Sequence, residues 1–564
     1  MKTYKKCLKS LKALLLIMSM VVIFSFGFHM VNAADTSHIY VSPSGNDTWN
    51  GQASTHLSSN VGPKKTIKNA VNIVSSGGLV NIASGTYYET DIVIQKNMTI
   101  KGTDKTKTII NANHNGKIFT IDTNIKATIA NIKLINGRYI NGGAIENAGS
   151  LTVDNSSFTS NAASNFGGAI LNYYGFLSVS NTYFIANRAS KQGGAIYNTH
   201  GTLKVTNSNF LCNRDDIGGA ICNYYGKSDL KYICFENNSA ASYGGSLANT
   251  GTLNAYRCTF KTNKANNSGG AIINYQNSIL SMTNSIFTGN TAAKYGGAIY
   301  NLGKATLTNV YYSYNTGFEG ACIFSSKNLD VNTNTFKNNR AYSVAGAVDN
   351  YHGISNLNNS TFLNNYANIF GGAVYNDNQY SSDKCNSIVN IQGCNFTNNK
   401  ANISGGAIHN NHGTLNVSKS KLANNLATQY GGAITNYCGI SRLTYSSLSS
   451  NRAGTYGGAI YNVGSITMIT NRFLYNSANI GGGAILNNQG TIAVSNSNFT
   501  CNLAKTHGGA IYNIRGITKL SNNTFINNTS YPNSGGAIYN YYGNLVTIYN
   551  NIIGSGKYSI YNVR

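Results

Sequence analysis

The chain has 564 residues, of which 41% are hydrophobic and only 10% charged, with 60 Gly, 39 Tyr and 3 Pro. So little charge beside so much apolar and aromatic material excludes a disordered chain, and it departs from ordinary globular domains, where about 25% is usual. The 42 Lys+Arg and 17 Asp+Glu leave a formal net charge of +25, which bears on partners rather than on fold.

Lys2, Lys5, Lys6, Lys9 and Lys12 precede an apolar run from Ala13 to Phe28 and the small-residue site Val31-Asn32-Ala33. The run is shorter than the ~20 residues that span a bilayer, so residues 1–33 are expected to be a secretory signal cleaved near Ala33. No later segment is as hydrophobic, and no transmembrane span is expected after cleavage. Residues 34–141 read as an N-terminal cap and the first coils of a solenoid. Thr66 to Val74 carries Ile67, Ala70, Val71 and Val74 on one face, as a short capping helix would. Strand-like segments follow at Leu79–Ile82, Ile92–Ile94, Met98–Ile100, Thr108–Ile110 and Ile118–Ile121.

From residue 142 to 564 the chain repeats itself. Gly-Gly-Ala-Ile begins at Gly142, Gly167, Gly193, Gly218, Gly269, Gly296, Gly405, Gly431, Gly457, Gly482, Gly508 and Gly535. Gly-Gly-Ala-Val stands at Gly371, and degenerate copies are placed at Gly244, Glu319 and Ala345, sixteen in all. The spacing is 25 to 27 residues, except for 23 before Glu319 and 34 before Gly405, where an inserted loop is read around 377–385. Phe-x-x-Asn recurs between copies, as in Phe158–Asn161 and Phe525–Asn528.

Within a repeat the pattern has period two, which means strand. The fourth motif position is aliphatic except at the Glu319 copy and is expected to face inward. The fifth varies among Glu146, Tyr197, Asp349, His409 and Thr435 and is expected to face outward. The sixth is Asn, at Asn147, Asn172, Asn198, Asn223, Asn274, Asn301, Asn436, Asn462, Asn513 and Asn540 among others. By parity it points inward, where stacked amides would satisfy one another as a ladder. Three short strands and three turns per repeat predict an all-β, right-handed parallel β-helix, each coil ~4.8 Å above the last.

Alternating Gly-Gly-Ala-Ile and Phe-x-x-Asn resembles the chlamydial-type polymorphic outer-membrane protein repeat, found also in adhesin-like, Asn/Thr-rich surface proteins of methanogenic archaea. Ile39-Tyr-Val-Ser-Pro-Ser-Gly-Asn-Asp47 is similar to the start of many secreted right-handed β-helix proteins. The resemblance implies an extracellular, surface-exposed, adhesin-like role. No C-terminal β-barrel translocator is read in the sequence, so self-translocation by that route is not expected.

The same architecture hosts polysaccharide lyases and glycoside hydrolases, whose chemistry needs clustered carboxylates. Residues 384–564 contain no Asp or Glu. The adjacent acids of the repeats are Asp215-Asp216, and Asp216 holds the repeat position of Lys191 one coil earlier, so a solvated cross-coil pair is expected there. A non-enzymatic protein without cofactor or metal is therefore expected, with a polysaccharide-active enzyme as the alternative. Removing Cys7 leaves nine cysteines, read mainly as buried free thiols, with Cys385 and Cys394 able to close a small loop.

The turn after the motif Asn repeatedly carries aromatics: Tyr173, Tyr174, Tyr224, Tyr225, Tyr351, Tyr437, Tyr541 and Tyr542. In-register stacking predicts a Tyr column along one edge. It is weighed both as decoration of an ordinary turn and as a ligand-contacting stripe. Residues 384–564 add twelve Lys or Arg, Arg515 and Lys519 among them. The expected partners are anionic glycans, wall polymers or another cell's surface, and not nucleic acid. Self-assembly into an oligomer stays open.

Overall fold

The computed structural model describes residues 36–378, 387–531, 534–556 and 558–563. They build an all-β parallel solenoid of about 18 turns with one short helix. Between Arg138 and Ala504 a turn has four strands rather than the three expected. In the coil that opens at Gly167 these are Ile170–Tyr173, Phe176–Ser180, Tyr183–Ile185 and Arg188–Ala189. Each of the first three pairs in parallel, residue for residue, with its counterpart one coil on, and the fourth pairs in parallel on both sides. The result is four stacked faces, here named the Ile–Asn, Leu–Val, Phe and fourth faces.

The tight corners explain much of the composition. In this coil Tyr174, Asn181, Ala186 and Gly193 all have left-handed backbone, with φ of 55°, 51°, 52° and 72°. Asn tolerates that conformation better than most residues, and it fills the second corner at Asn155, Asn207, Asn284 and Asn309. The first motif Gly is a fourth such corner, with Ala345 (φ 59°) as an exception. The second Gly has another reason, since a Cβ on Gly168 would strike the carbonyl oxygen of Gly194 in the next coil.

The core is a set of ladders. Phe158, Phe184, Phe210, Phe235, Phe260 and Phe287 stack face to face with centroids 4.5 to 5.1 Å apart. Tyr312 continues the stack, and its buried hydroxyl has no partner. The motif asparagines are buried and bond in sequence: Asn147 Nδ2 donates to Asn172 Oδ1 (2.6 Å), Asn172 to Asn198 (2.7 Å) and Asn198 to Asn223 (2.8 Å). Beyond the Ser325 break, Asn436 donates to Asn462 and Asn513 to Asn540. A second ladder, read from sequence as only a turn, runs through the Asn of Phe-x-x-Asn. Asn187 Nδ2 donates to Asn213 Oδ1 and to Phe158 O, each at 3.0 Å, and Asn187 N–H donates to the same Asn213 Oδ1.

The helix spans Ile67–Ile73, with Thr66 Oγ1 accepting from Asn69 N–H at its start. Glu89 carboxylate oxygens accept from the N–H groups of Ile67 and Lys68. Ile67, Ala70 and Val71 are buried, and the helix packs on His38–Val41, Gly78–Ile82 and Ile92–Ile94.

Two expectations are corrected here. The degenerate copy starts at Gly320, not Glu319: Ile323 pairs with Ile299 and Val348, and Gly320 has the left-handed φ of 59°. The fourth position is thus aliphatic in every copy, and Ser325 replaces the ladder Asn. The fifth position does point away from the core, but it is not exposed. Tyr197, Cys222, Ile273, Phe324, Asp349 and His409 are all buried, because residues just before the next motif, such as Phe166, Tyr243 and Phe370, fold over them as a second layer. Four of the eight described cysteines are buried, while Cys212 and Cys438 are exposed. Cys385 lies outside the described residues.

Asn301 accepts from Asn274 Nδ2 (2.8 Å) and donates to Ser325 Oγ (3.0 Å) and Gly303 O (3.1 Å). Asn301→Ala is expected to cost ~1–3 kcal/mol for each group it strands. The check is amide exchange, which should quicken in the coils holding Asn274 and Ser325 and not far along the rod. Equal loosening everywhere would refute a local ladder.

Candidate functional site

The predicted Tyr column resolves into separate patches. Tyr173 pairs with Thr199 and Thr199 with Tyr224, while Tyr351 is followed by Asp377, Asn411 and then Tyr437. Tyr541 pairs with Ile514 and Val563. Tyr173, Tyr174, Tyr225, Tyr437 and Tyr542 are exposed, and Tyr224, Tyr351 and Tyr541 are half-buried. The longest aromatic run is Tyr174–His200–Tyr225, with centroid spacings of 4.8 and 5.7 Å. Its members occupy left-handed corner positions that His352, His412, Cys438, Gln489 and Arg515 fill in other coils, so their backbone strain belongs to this type of turn. Arg515 shares the corner position of Tyr542, whereas Lys519 lies on the neighbouring Leu–Val face, paired with Ala493 and Val546. Nine of the twelve basic residues of 384–564 are described, and all nine are exposed.

Charge and aromatics coincide elsewhere, on the fourth face. Its outward column reads, coil by coil, Arg138, Ala162, Arg188, Arg214, Ser239, Lys264, Thr291 and Thr316. It continues through Arg340, Tyr366, Lys400, Leu426, Arg452, Ser477 and Leu503. Seven cations and no acid stand in this column, every cation exposed. The Arg340 guanidinium lies 5.1 Å from the Tyr366 ring centroid and Lys400 Nζ lies 5.9 Å from it, so one ring is held between two cations. Among the described residues the ion pairs are Lys117–Glu146 and Lys261–Glu236, and neither draws on the column. The signal was present in the sequence as Asn-Arg/Lys-Ala, following Phe-x-x at Arg188, Lys264, Arg340 and Lys400 and Leu-x-x at Arg452. A two-residue strand shows no periodicity to mark it.

Inward of this column most coils carry Ala, as at Ala163, Ala189, Ala240 and Ala265. Asp215 takes that place in one coil, paired with Ala240. Asp215 is therefore not solvated but buried, with Oδ2 unpartnered and Oδ1 accepting from Asp216 N–H. Burial pushes its pKa up to about 8, with Asp216 adding to the rise and Arg188 opposing it. Asp216 accepts from Ser242 Oγ at 2.5 Å rather than pairing with Lys191. Both acids line a cleft of about 690 Å³ shared with Arg188, Arg214 and Lys264.

Sequence reasoning treated Asp215 and Asp216 as the grouped acids of the repeats. Stacking assembles another group, Glu319, Asp349 and Asp377, in a pocket on the Ile–Asn face. These residues lie in three different coils, so no linear motif signals them. Among the described residues no three His, Cys, Asp or Glu side chains are placed to hold a metal ion, and no helix is long and apolar enough to cross a membrane.

The repeat model of the Chlamydia polymorphic membrane protein family matches residues 181–199, 284–302 and 524–541. Each match spans one Phe-x-x-Asn and the motif strand after it. The chain carries Chlamydia-type polymorphic membrane protein repeats. The matches cover the buried ladders of those repeats, and one of them includes Arg188 of the basic column. A stretch of 113 residues is 35% identical to metabotropic glutamate receptor-like protein R of Dictyostelium discoideum, covering 20% of this chain and 7% of that protein. Among solved structures, a PL6-family alginate lyase aligns over 81% of this chain and 87% of its own at 10% identity and TM-score 0.33. The surface adhesin PfbA of Streptococcus pneumoniae aligns over 81% and 85% at 14% identity and TM-score 0.17. A GH87 α-1,3-glucanase catalytic domain aligns over 84% and 66% at 10% identity and TM-score 0.17. Scores this low carry no argument between binding and catalysis.

Proposed function

We propose that this is an exported, surface-displayed, non-enzymatic adhesin-like protein whose solenoid binds anionic glycans or cell-wall polymers. The observation that carries this reading is the acid-free column of seven exposed cations on the fourth face. A flexible polyanion can meet a cation every one to three coils, and weak contacts add along its length. Polymorphic membrane protein repeats support a surface location. Residues 1–33 act as the export signal in this reading, and the helix Ile67–Ile73 closes the N-terminal end of the core. The coil is right-handed, as parallel crossovers overwhelmingly are. The turn tyrosines Tyr174, Tyr225 and Tyr542 serve as secondary contacts.

One observation favours the alternative of a polysaccharide-active enzyme: the cleft that sets buried Asp215, whose Oδ2 has no partner, beside Arg188, Arg214 and Lys264. A single experimental series separates the two. Impermeant labelling of intact cells should modify the exposed lysines, and the purified chain should retain sulfated or uronate polymers on an array without shortening them. Release of new reducing ends, lost in Asp215→Asn, would instead establish the enzyme.

A further inference from the structure

The pocket at Glu319, Asp349 and Asp377 is opposite in character to the basic column. It encloses about 610 Å³, and its walls are the rings of Tyr295, Tyr300, Phe324, Tyr351, Phe370 and Tyr375. Phe324 sits at the centre of one wall, with centroids 4.6 Å from Tyr295, 5.5 Å from Tyr300 and 5.7 Å from Tyr351. Among the described residues no Lys, Arg or His lines it, in a chain where bases outnumber acids 42 to 17.

Asp349 is the group that demands an explanation. It occupies the fifth motif position, which neighbouring coils fill with Phe324 and Tyr375. It is only 2% exposed, and its Oδ1 has no hydrogen-bond partner. Burial, with Glu319 and Asp377 nearby, holds its carboxyl well above the usual range, and burial with Asp377 raises Glu319 in the same direction. The imidazole two coils on, His409, bonds Ser404 instead, and burial lowers its pKa to about 3, so it brings no charge. A buried carboxyl that lacks both a donor and a cation is costly to keep.

The geometry points to a site for an organic ammonium group, seated on the ring faces around Phe324 with Asp349 and Glu319 as its counter-charges. Aromatic faces attract cations most strongly where water is excluded. A neutral ligand would leave Asp349 and Glu319 uncompensated, and an anionic one would meet these two acids with no base beside them among the described residues. An aromatic wall supplies no metal ligands. This site is independent of the polyanion reading, because the column's cations do not line it.

The test titrates the full-length chain with choline against 3,3-dimethylbutan-1-ol, its neutral isostere, and with glucosamine against glucose. At least one amine is expected to bind about tenfold more tightly than its neutral partner. Asp349→Asn should remove that preference while leaving the melting temperature unchanged or raised. Phe324→Leu should weaken the amine severalfold, and Glu319→Gln provides a second charge variant in a less buried place. A preference for glucosamine marks an amino sugar as the source, and one for choline marks a quaternary ammonium. If neither amine outbinds its neutral partner, or if Asp349→Asn keeps the full preference, the assignment is overturned.

Discussion

At pH 8, Asp215→Ala is expected to stabilise the coil around Arg214–Ile217 by on the order of 3 kcal/mol, and at pH 4 to change it little. The folded carboxyl titrates at about 8 because it is buried, whereas an unfolded aspartate titrates near ~3.9. Between those values the folded chain holds a proton that the unfolded chain has released. Folding stability therefore falls as pH rises through this window and is lowest above about pH 8. At ~1.4 kcal/mol per unit the ceiling exceeds 5 kcal/mol, and local relaxation and water entry bring the expected value down. Alanine suits the site, since Ala189 and Ala240 hold the same place in the adjoining coils. Solenoids loosen locally rather than in one step, so amide exchange at Arg214–Ile217 and Ser239–Tyr243 is the measurement. Asp215→Asn should flatten the pH dependence in the same way. Slower exchange in wild type than in Asp215→Ala at pH 8 would mean that Arg188 and Arg214 hold the carboxylate ionised, and the burial argument would fail.

Repetition decided what could be read from the sequence. Sixteen copies gave period two in the Ile–Asn and Leu–Val strands, and Phe-x-x-Asn fixed a third, so the ladders through Asn172 and Phe184 were legible. The fourth strand was not, because Arg188–Ala189 is too short to show a period. Glu319-Gly-Ala-Cys imitates the motif one residue early, and only pairing with Ile299 reveals that Gly320 begins it. Parity placed Tyr197 and Asp349 away from the core, yet parity describes one sheet and not what folds over it. Phe166 and Val344 do so from the segment before the motif. Functional groups were hidden for a related reason. Arg340, Tyr366 and Lys400 are neighbours across coils, as are Glu319 and Asp349, so sequence distance dilutes each cluster until the stacking register is known.

Replacing Arg340, Lys400 and Arg452 together by serine should abolish most polyanion binding at physiological salt and lower the salt slope by about three, roughly one unit for each counterion-releasing contact removed. These cations stand on alternate coils of the fourth face, ~10 Å apart at ~4.8 Å per coil. That spacing slightly exceeds the ~8 Å screening length at 0.15 M salt, so at this ionic strength the cations act as nearly separate contacts and a long polymer gains by engaging several of them. Arg188 and Arg214, one coil apart, fall inside the screening length and repel each other until an anion lies across them. Affinity should therefore rise with polymer length and fall steeply with salt. Tyr366→Ala should weaken binding while keeping the slope, because the ring orders Arg340 and Lys400 without carrying charge. Arg515→Ser with Lys519→Ser should lower the slope less, since those two residues lie on different faces. An unchanged slope in the triple variant, with binding lost instead in Tyr541→Ala/Tyr542→Ala, would move the contact from the fourth face to the Tyr-bearing corner.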